Sequence, residues 1–379
     1  MSDTLTALLS GENLFTGTIL PFLAVLTVVV FVHEMGHYLV GRWCGIGVKA
    51  FSIGFGPELL GYTDRRGTRW KLSAVPLGGY VKFVGDEDAA SSPDAAATAA
   101  LTDEERASAF QLMPVWKRAL TVFAGPAANF ILTIAIFSVT IGLYGRAVSD
   151  PTVAKAVPGS AAEAAGFLPG DVFLRVDGAV VTTFSDVQRY VAPRAGEEIR
   201  FTMLRDGREV ELAAVPKQTE IDDPLGNKVK VGIIGVETNK DVGKFRVVSF
   251  GPVEAVGEAV KESLFIAGET GRFLSRLVRG REDKCQLGGP VKIAQMTGKA
   301  AERGISWLIQ LTALLSIGIG ILNLLPIPPL DGGHLLFYAI EGVLRRPVTE
   351  KLQEIVYRTG GIMVLAFMLF VIFNDLFAC

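Results

Sequence analysis

The chain has 379 residues, half of them hydrophobic, with a formal net charge of −2 and a mean hydropathy of +0.39. That length holds two or three domains, and the positive hydropathy is foreign to an all-soluble chain but natural for one with several segments in lipid. The near-neutral charge gives no basis for a nucleic-acid partner. Cys44, Cys285 and Cys379 are odd in number and far apart, so no disulfide framework follows and apolar filler is the plainer role.

Residues 1–44 are read as a first transmembrane helix. The N-terminus lacks the basic region of a cleaved signal peptide. No charge interrupts Asn13 to Val32, about the length that crosses a bilayer core as a helix. The run ends in Val32-His33-Glu34-Met35-Gly36-His37. Residues four apart on a helix lie about 40° apart around the axis, so His33 and His37 can offer two imidazoles to one metal ion, with Glu34 alongside to handle a proton. This is the H-E-x-x-H pattern of zinc metalloproteases. The plain alternative is two histidines hydrogen-bonded inside an apolar helix, yet imidazoles and a carboxylate at such depth need a compensating partner. The third and last histidine, His334, lies in Leu330-Asp331-Gly332-Gly333-His334.

Residues 45–113 form the next segment. No Lys or Arg precedes Arg42, whereas Arg42, Lys49, Arg65, Arg66, Arg69 and Lys71 follow the first span and Lys117 and Arg118 precede the second. The positive-inside rule then puts this segment in the cytoplasm, the N-terminus outside, and the two histidines near the cytoplasmic end of their helix. Trp70 to Val84 reads as short strands around a Gly78-Gly79 turn, with Pro76 and the glycines arguing against a helix. Asp86 to Glu105 reads as a flexible insert.

The second span, in residues 114–146, runs from Val115 to Tyr144 and contains Ala124-Gly125-Pro126-Ala127-Ala128-Asn129. Small residues let helices approach closely in lipid, and Asn129 is placed near the site as a polar contact, not as a ligand. Residues 147–240 are soluble in character. Val157-Pro158-Gly159-Ser160, Pro169-Gly170-Asp171 and Val176-Asp177-Gly178 precede two alternating strand patterns, Glu198 to Leu204 and Arg208 to Ala214, joined by an Arg205-Asp206-Gly207 turn. Lys230 to Val236 is expected to add a closing strand. In residues 241–304, Val253 to Val278 reads as an amphipathic helix, and the role of Leu287 to Ile293 is not readable from its chemistry.

Residues 305–379 hold the last two spans. The third, Ile305 to Leu325, ends in Pro326, Pro328 and Pro329, which cannot continue a helix. Irregular backbone at membrane depth survives only where protein or water satisfies it, so Asp331 is placed on a broken helix lining a polar pocket. Arg345, Arg346, Lys351 and Arg358 mark a cytoplasmic loop before a short fourth span, Gly360 to Phe373, with Arg358 reaching back to the interface.

With the first motif and Asn323-Leu324-Leu325-Pro326-Ile327-Pro328-Pro329-Leu330-Asp331-Gly332-Gly333 in this order, most of the chain resembles the site-2 protease family. The resemblance is to intramembrane zinc metalloproteases of the bacterial regulator-of-sigma-E protease type. The soluble insert resembles a single PDZ domain of the bacterial protease kind. The implied fold is a multi-span α-helical membrane protein of four transmembrane helices and a membrane-associated β-loop, with an inserted extracytoplasmic α+β PDZ domain. The implied zinc site uses His33, His37 and Asp331 with a water in fourth place, and Glu34 is the general base. His334 stays a competing ligand, one that would displace Asp331 or make the site five-coordinate. Asn323 and the loop residues Gly78, Gly79 and Tyr80 are the implied holders of an unwound substrate, by strand addition.

The implied substrates are single-span membrane proteins already trimmed by another protease, of the anti-sigma-factor or remnant-signal-peptide kind, cut in regulated intramembrane proteolysis. A peptide or substrate ectodomain is the implied partner of the PDZ domain. The implied place is the bacterial inner membrane, multi-pass, with both termini and the PDZ domain outside the cytoplasm and the catalytic site toward it. Two other classes compete. A catalytically idle PDZ scaffold has no need of Glu34 between two ligands, and a zinc transporter leaves Glu34 and the soluble insert unexplained.

Overall fold

The computed structural model describes residues 14–86, 101–222, 228–238, 246–280, 288–346 and 348–378. Most of the expected flexible insert (87–100), together with Leu287, Cys285 and Cys379, lies outside the described residues. Four helices among those described are long and apolar enough to cross a membrane: Leu14–Trp43, Val115–Tyr144, Ile305–Asn323 and Lys351–Phe377. The chain divides into two units, one of residues 1–137, 259–270 and 287–379, the other of residues 138–258 and 271–286.

In the first unit, a π-turn (Leu14–Ile19) leads into α1 (Leu20–Trp43). Pro21 sits in its first turn, where a missing N–H costs nothing. After α1, β1 (Val48–Thr63) pairs with β2 (Arg69–Phe83) in antiparallel register. The ribbon folds on itself: Phe51 faces Val81 on one side and Trp70 on the other, while Trp70 also faces Tyr62. The run Ala50–Ile53 is therefore interior, and Gly79–Phe83 forms one margin.

The chain reverses at Asp64 to Thr68, not at Gly78-Gly79 as the sequence led us to expect. Asp64 supplies the turn chemistry, its Oδ1 accepting the N–H of Arg66 (2.8 Å) and of Thr68 (2.9 Å), and Gly67 takes φ +82°. Gly78 and Gly79 lie within β2 because neighbours leave no room for a side chain. A Cβ at Gly78 would run into the Phe55 ring, and one at Gly79 would come within 2.8 Å of the Ser52 carbonyl oxygen. The core under this sheet joins Tyr38, Phe51, Val81, Phe83 and Phe110.

A short helix, α2 (Asp103–Ser108), is closed by a Thr102/Glu105 capping box and precedes α3 (Val115–Tyr144). Helices α1 and α3 touch through small residues: a Cβ on Gly36 would run into the Ala124 carbonyl oxygen.

The second unit is α+β. Its strands are β3 (Arg146–Val148), β4 (Lys155–Ala156), β5 (Val172–Val176), β6 (Ala179–Val180), β7 (Ile199–Arg205), β8 (Arg208–Ala214), β9 (Lys217–Asp222), β10 (Lys228–Ile233), β11 (Val236–Glu237) and β12 (Arg246–Val248). Two helices accompany them, α4 (Ala161–Ala164) and α5 (Phe184–Val191). The sheet order is β6-β5-β7-β8, over a core of Phe167, Phe173, Phe201, Ile199 and Met203. Asp206 and Gly207, at φ +48° and +79°, make the two-residue β7–β8 turn. Asp171, buried, accepts two bonds of 2.7 Å from Arg205, tying the β5 approach to the end of β7. The expected closing strand at Lys230 to Val236 is split instead. Among the described residues β10 pairs with β9 alone and β11 pairs with β4, because Gly235 at φ +80° turns the chain between them.

Helix α6 (Pro252–Val278) contributes to both units. Next comes α7 (Pro290–Arg303), a helix whose start is the stretch that the sequence left without a role. Asp375 accepts the N–H groups of Gly289 (3.1 Å) and Lys292 (3.2 Å) at its N-terminus, doing the work of a cap. Helix α8 (Ile305–Asn323) ends two residues before the expected Leu325, α9 (Asp331–Leu344) follows the prolines, and α10 (Glu350–Phe373) is longer than the expected Gly360 start. Its first turns carry Lys351, Glu354 and Arg358 on exposed positions, so charge there limits the apolar stretch without ending the helix.

Candidate metal centre

The α1 spacing brings His33 and His37 to one face, their Nε2 atoms 3.1 Å apart. Asp331 comes to them from the far end of the chain. Its Oδ2 lies 3.1 Å from His33 Nε2 and 3.5 Å from His37 Nε2. Among the described residues these three form a group able to hold a metal ion. A tetrahedral ion with bonds of about 2.0–2.1 Å sets its ligand atoms ~3.3 Å apart, so the triangle has the right size for zinc. Asp331 Oδ2 is buried without a hydrogen-bond partner, a costly state unless a cation meets it. The donor set therefore fits zinc.

The break between α8 and α9 is what delivers Asp331. Pro326, Pro328 and Pro329 deny the helix its N–H groups, and α9 restarts with Asp331 as its first residue, where the helix dipole favours a carboxylate. Gly332 and Gly333 follow because the chain doubles back tightly. A Cβ on Gly332 would run into the Leu325 carbonyl, and one on Gly333 would lie 2.8 Å from the Pro328 nitrogen. Farther along α9, Glu341 accepts a 2.7 Å bond from Arg118 of α3, whose guanidinium also covers the Tyr338 ring at 4.9 Å. Both partners of that ion pair are largely buried, so removing one would strand the other.

Backbone from the other elements orients the histidines. The His37 Nδ1–H donates to the Thr121 carbonyl of α3 (2.9 Å), which leaves Nε2 free to ligate. Asn129, fully buried on α3, lies with its side-chain amide 3.3 Å from His33 Nδ1. Glu34 accepts the Val81 N–H from the sheet margin. Gly79 makes that approach possible, since a Cβ there would stand 3.0 Å from Val30 Cγ1 and 3.2 Å from Glu34 Cγ. Tyr80 stacks on Phe55 at 6.1 Å, over Gly78.

Two residues singled out from the sequence stand apart from the cluster. Asn323 closes α8, half-buried, and its amide has no hydrogen-bond partner among the described residues. His334 turns away from the triangle: its Nδ1 meets the Tyr357 hydroxyl at 2.8 Å and its ring packs on Tyr357 at 4.9 Å.

By its sequence Gly125 is a packing residue, and the structure gives it a sharper place. A Cβ there would run into the His37 imidazole and stand 2.9 Å from His33 Nε2. The Thr121 carbonyl holds His37 on its other nitrogen, so the ring cannot yield freely. Gly125→Ala is expected to destabilise by about 1–3 kcal/mol, as overpacking does, and to lower zinc retention. Gly142→Ala in the same helix is the control, since its Cβ meets only Ala255 Cβ at 3.7 Å. Zinc content and melting of the two purified variants check this; equal zinc in both would refute it.

A family model described as Peptidase family M50 matches residues 21–367. A Brucella suis protein provisionally named a zinc metalloprotease is 64% identical over 379 residues, covering 100% of both chains. One from Mesorhizobium japonicum, named in the same way, is 62% identical over 367 residues, covering 97% of this chain and 100% of that one. The metalloprotease MmpA of Caulobacter vibrioides is 41% identical over 379 residues, covering 93% of this chain and 94% of that one.

Proposed function

The chain belongs to peptidase family M50, a family of zinc-dependent metalloproteases, and from that membership we propose that it hydrolyses peptide bonds within or beside the transmembrane segments of other membrane proteins. The observation that carries this is the His33–His37–Asp331 triangle, with Glu34, His33 and His37 on a helix apolar enough to cross a membrane and Asp331 brought to them by α9. His33 and His37 through Nε2, and Asp331 through Oδ2, are the groups to hold zinc. Bound zinc supplies Lewis acidity and brings a water's pKa toward about 7. Glu34 takes the proton of the attacking water and returns it to the leaving amine. Its Val81 N–H partner holds the carboxylate in place.

A peptide bond inside an intact helix has its carbonyl engaged, so the substrate must unwind before attack. The Gly79–Phe83 margin lies against Glu34 and offers the strand for that extended form to pair with, by strand addition. Gly78 and Gly79 leave the start of the margin without side chains, Tyr80 on Phe55 flanks it, and the unpartnered Asn323 amide is a second holder of substrate backbone. The outer half of β1 exposes Phe55, Leu59, Leu60 and Tyr62, as a loop in contact with lipid would.

The basic residues between the first two spans favour the catalytic end of α1 toward the cytoplasm and both termini outside, and the proposed location is a bacterial inner membrane. The second unit, read as a PDZ domain, then lies outside the cytoplasm. Pre-trimmed single-span proteins are the proposed substrates, and the PDZ domain is proposed to obstruct those whose outer part is still bulky. Replacing Thr152 to Lys217 by a Gly/Ser linker is expected to leave cleavage of a trimmed substrate unchanged and to permit cleavage of its full-length form. Slower cleavage of the trimmed form, with the full-length form still uncut, would mean capture instead. The test of the whole proposal compares membranes carrying wild-type or Glu34→Gln protein by mass spectrometry. Membrane-protein fragments cut in or near spans should appear only with wild type; identical fragment sets would sink it.

A further inference from the structure

We infer that Asn129 is a positioning residue that sets the tautomer of His33. Its side-chain carbonyl accepts the His33 Nδ1–H and so turns the Nε2 lone pair toward a bound zinc. The inference rests on the proposed ligand set and concerns how this chain prepares it.

The two histidines need the same tautomer and obtain it differently. Their Nε2 atoms lie 3.1 Å apart, and both face Asp331 Oδ2. A proton on either Nε2 would fill the space a cation must enter. Both protons therefore belong on Nδ1. For His37 the acceptor is the Thr121 carbonyl at 2.9 Å, a backbone group with no alternative role as donor. His33 Nδ1 faces the Asn129 amide at 3.3 Å.

That amide has two ends. With Nδ2 toward His33 it would donate to Nδ1, driving the ring proton onto Nε2 and closing the site to metal. In that orientation the Asn129 Oδ1 is also buried with no partner. A half-turn exchanges Oδ1 and Nδ2 without changing the outline of the side chain. The carbonyl then accepts from His33 Nδ1 and leaves Nε2 free of its proton. Zinc binding therefore favours the orientation with the carbonyl toward His33.

The surroundings hold Asn129 where this choice matters. Its backbone carbonyl accepts from Ser316 of α8 (3.0 Å) and from Thr133 (3.0 Å), whose hydroxyl also reaches the Ala313 carbonyl at 3.0 Å. Gly320 of α8 lets that helix close on it, since a Cβ there would stand 3.3 Å from Asn129 Cβ. Asn129 of α3 is thus clamped against α8 with only its amide left to turn.

The test measures the zinc dissociation constant of purified wild-type, Asn129→Leu and Asn129→Asp proteins by competition with a chelator. Melting of each zinc-free protein is followed alongside. Leu keeps the bulk and removes the acceptor, so zinc should bind about 10–100-fold more weakly, the usual effect of losing a ligand's outer hydrogen-bond partner. Asp keeps an acceptor at the same reach and cannot donate when ionised, so zinc should bind at least as tightly as in wild type. A packing role alone reverses this order, with Leu tolerated and Asp not. Wild-type affinity in the Leu variant, or an Asp variant as weak as the Leu variant, overturns the inference. Should the Leu variant not fold, weak binding by the Asp variant overturns it alone. His33→Ala separates the two levels: zinc held as tightly as in wild type there would mean that the ligand set itself is wrong.

Discussion

Glu34→Gln is expected to keep its zinc and its fold while losing peptide hydrolysis by about 10²–10⁴-fold, the usual contribution of a general base. The structure makes this substitution unusually clean. The Val81 N–H that donates to the Glu34 carboxylate can donate equally to the side-chain carbonyl of Gln. The outline of the side chain against Gly79 and Val30 is unchanged, so α1 and the sheet margin should stay in register. What the amide cannot do is accept a proton from the attacking water and pass it to the leaving nitrogen. Single-turnover cleavage by purified protein, with zinc content measured on the same sample, decides the matter. Near-normal turnover with zinc in place would remove Glu34 from the role of base.

The second large effect is in the ligand set. Asp331→Ala should lose zinc on purification and lose activity with it. Two ligands hold the ion far less well than three, and the loss should exceed the roughly 10–100-fold that follows from deleting an outer hydrogen-bond partner. His334→Ala should keep zinc, although it stands only three residues further along α9. Its ring is engaged by the Tyr357 hydroxyl at 2.8 Å and packs at a tilt on the same tyrosine, outside the triangle. Removing it leaves a polar group short of a partner, with an expected cost of about 1–3 kcal/mol in stability. Metal analysis of the two variants separates the roles. Zinc retained by Asp331→Ala and lost by His334→Ala would reverse the assignment.

These two variants also show what a break in a helix contributes. Asp331 belongs to the group because α8 stops at Asn323 and α9 begins eight residues later at Asp331, with Gly332 and Gly333 against the backbone of Leu324, Leu325 and Pro328. A side chain at either glycine would push the start of α9 off the proline bend, and Asp331 with it. The ion pair of Arg118 with Glu341 ties α9 to α3 along its length. The triangle therefore depends on groups well outside it.

Helical spacing alone determined that His33 and His37 share a face with Glu34 beside them, because the 3.6-residue repeat is a local property of the backbone. Local chemistry likewise determined the apolar lengths of the spans, the prolines that end α8, and the Asp206-Gly207 reversal between β7 and β8. The reversal of the β1–β2 ribbon escaped for the opposite reason. A Gly-Gly pair is compatible with a turn and also with a strand pressed against a neighbour, and only the Phe55 ring and the Ser52 carbonyl decide between them. The helix α7 was hidden because its cap, Asp375, lies 86 residues from Gly289 in the chain. Gly125 could be read from its neighbours as a packing residue, but its place over two imidazoles needs α3 laid on α1. Asn129 was legible as a polar group at membrane depth, yet its partner is set by long-range packing. Asp331 meets two histidines some 300 residues away, and no local preference encodes that distance; it follows from how four helices and one bend close around a buried charge.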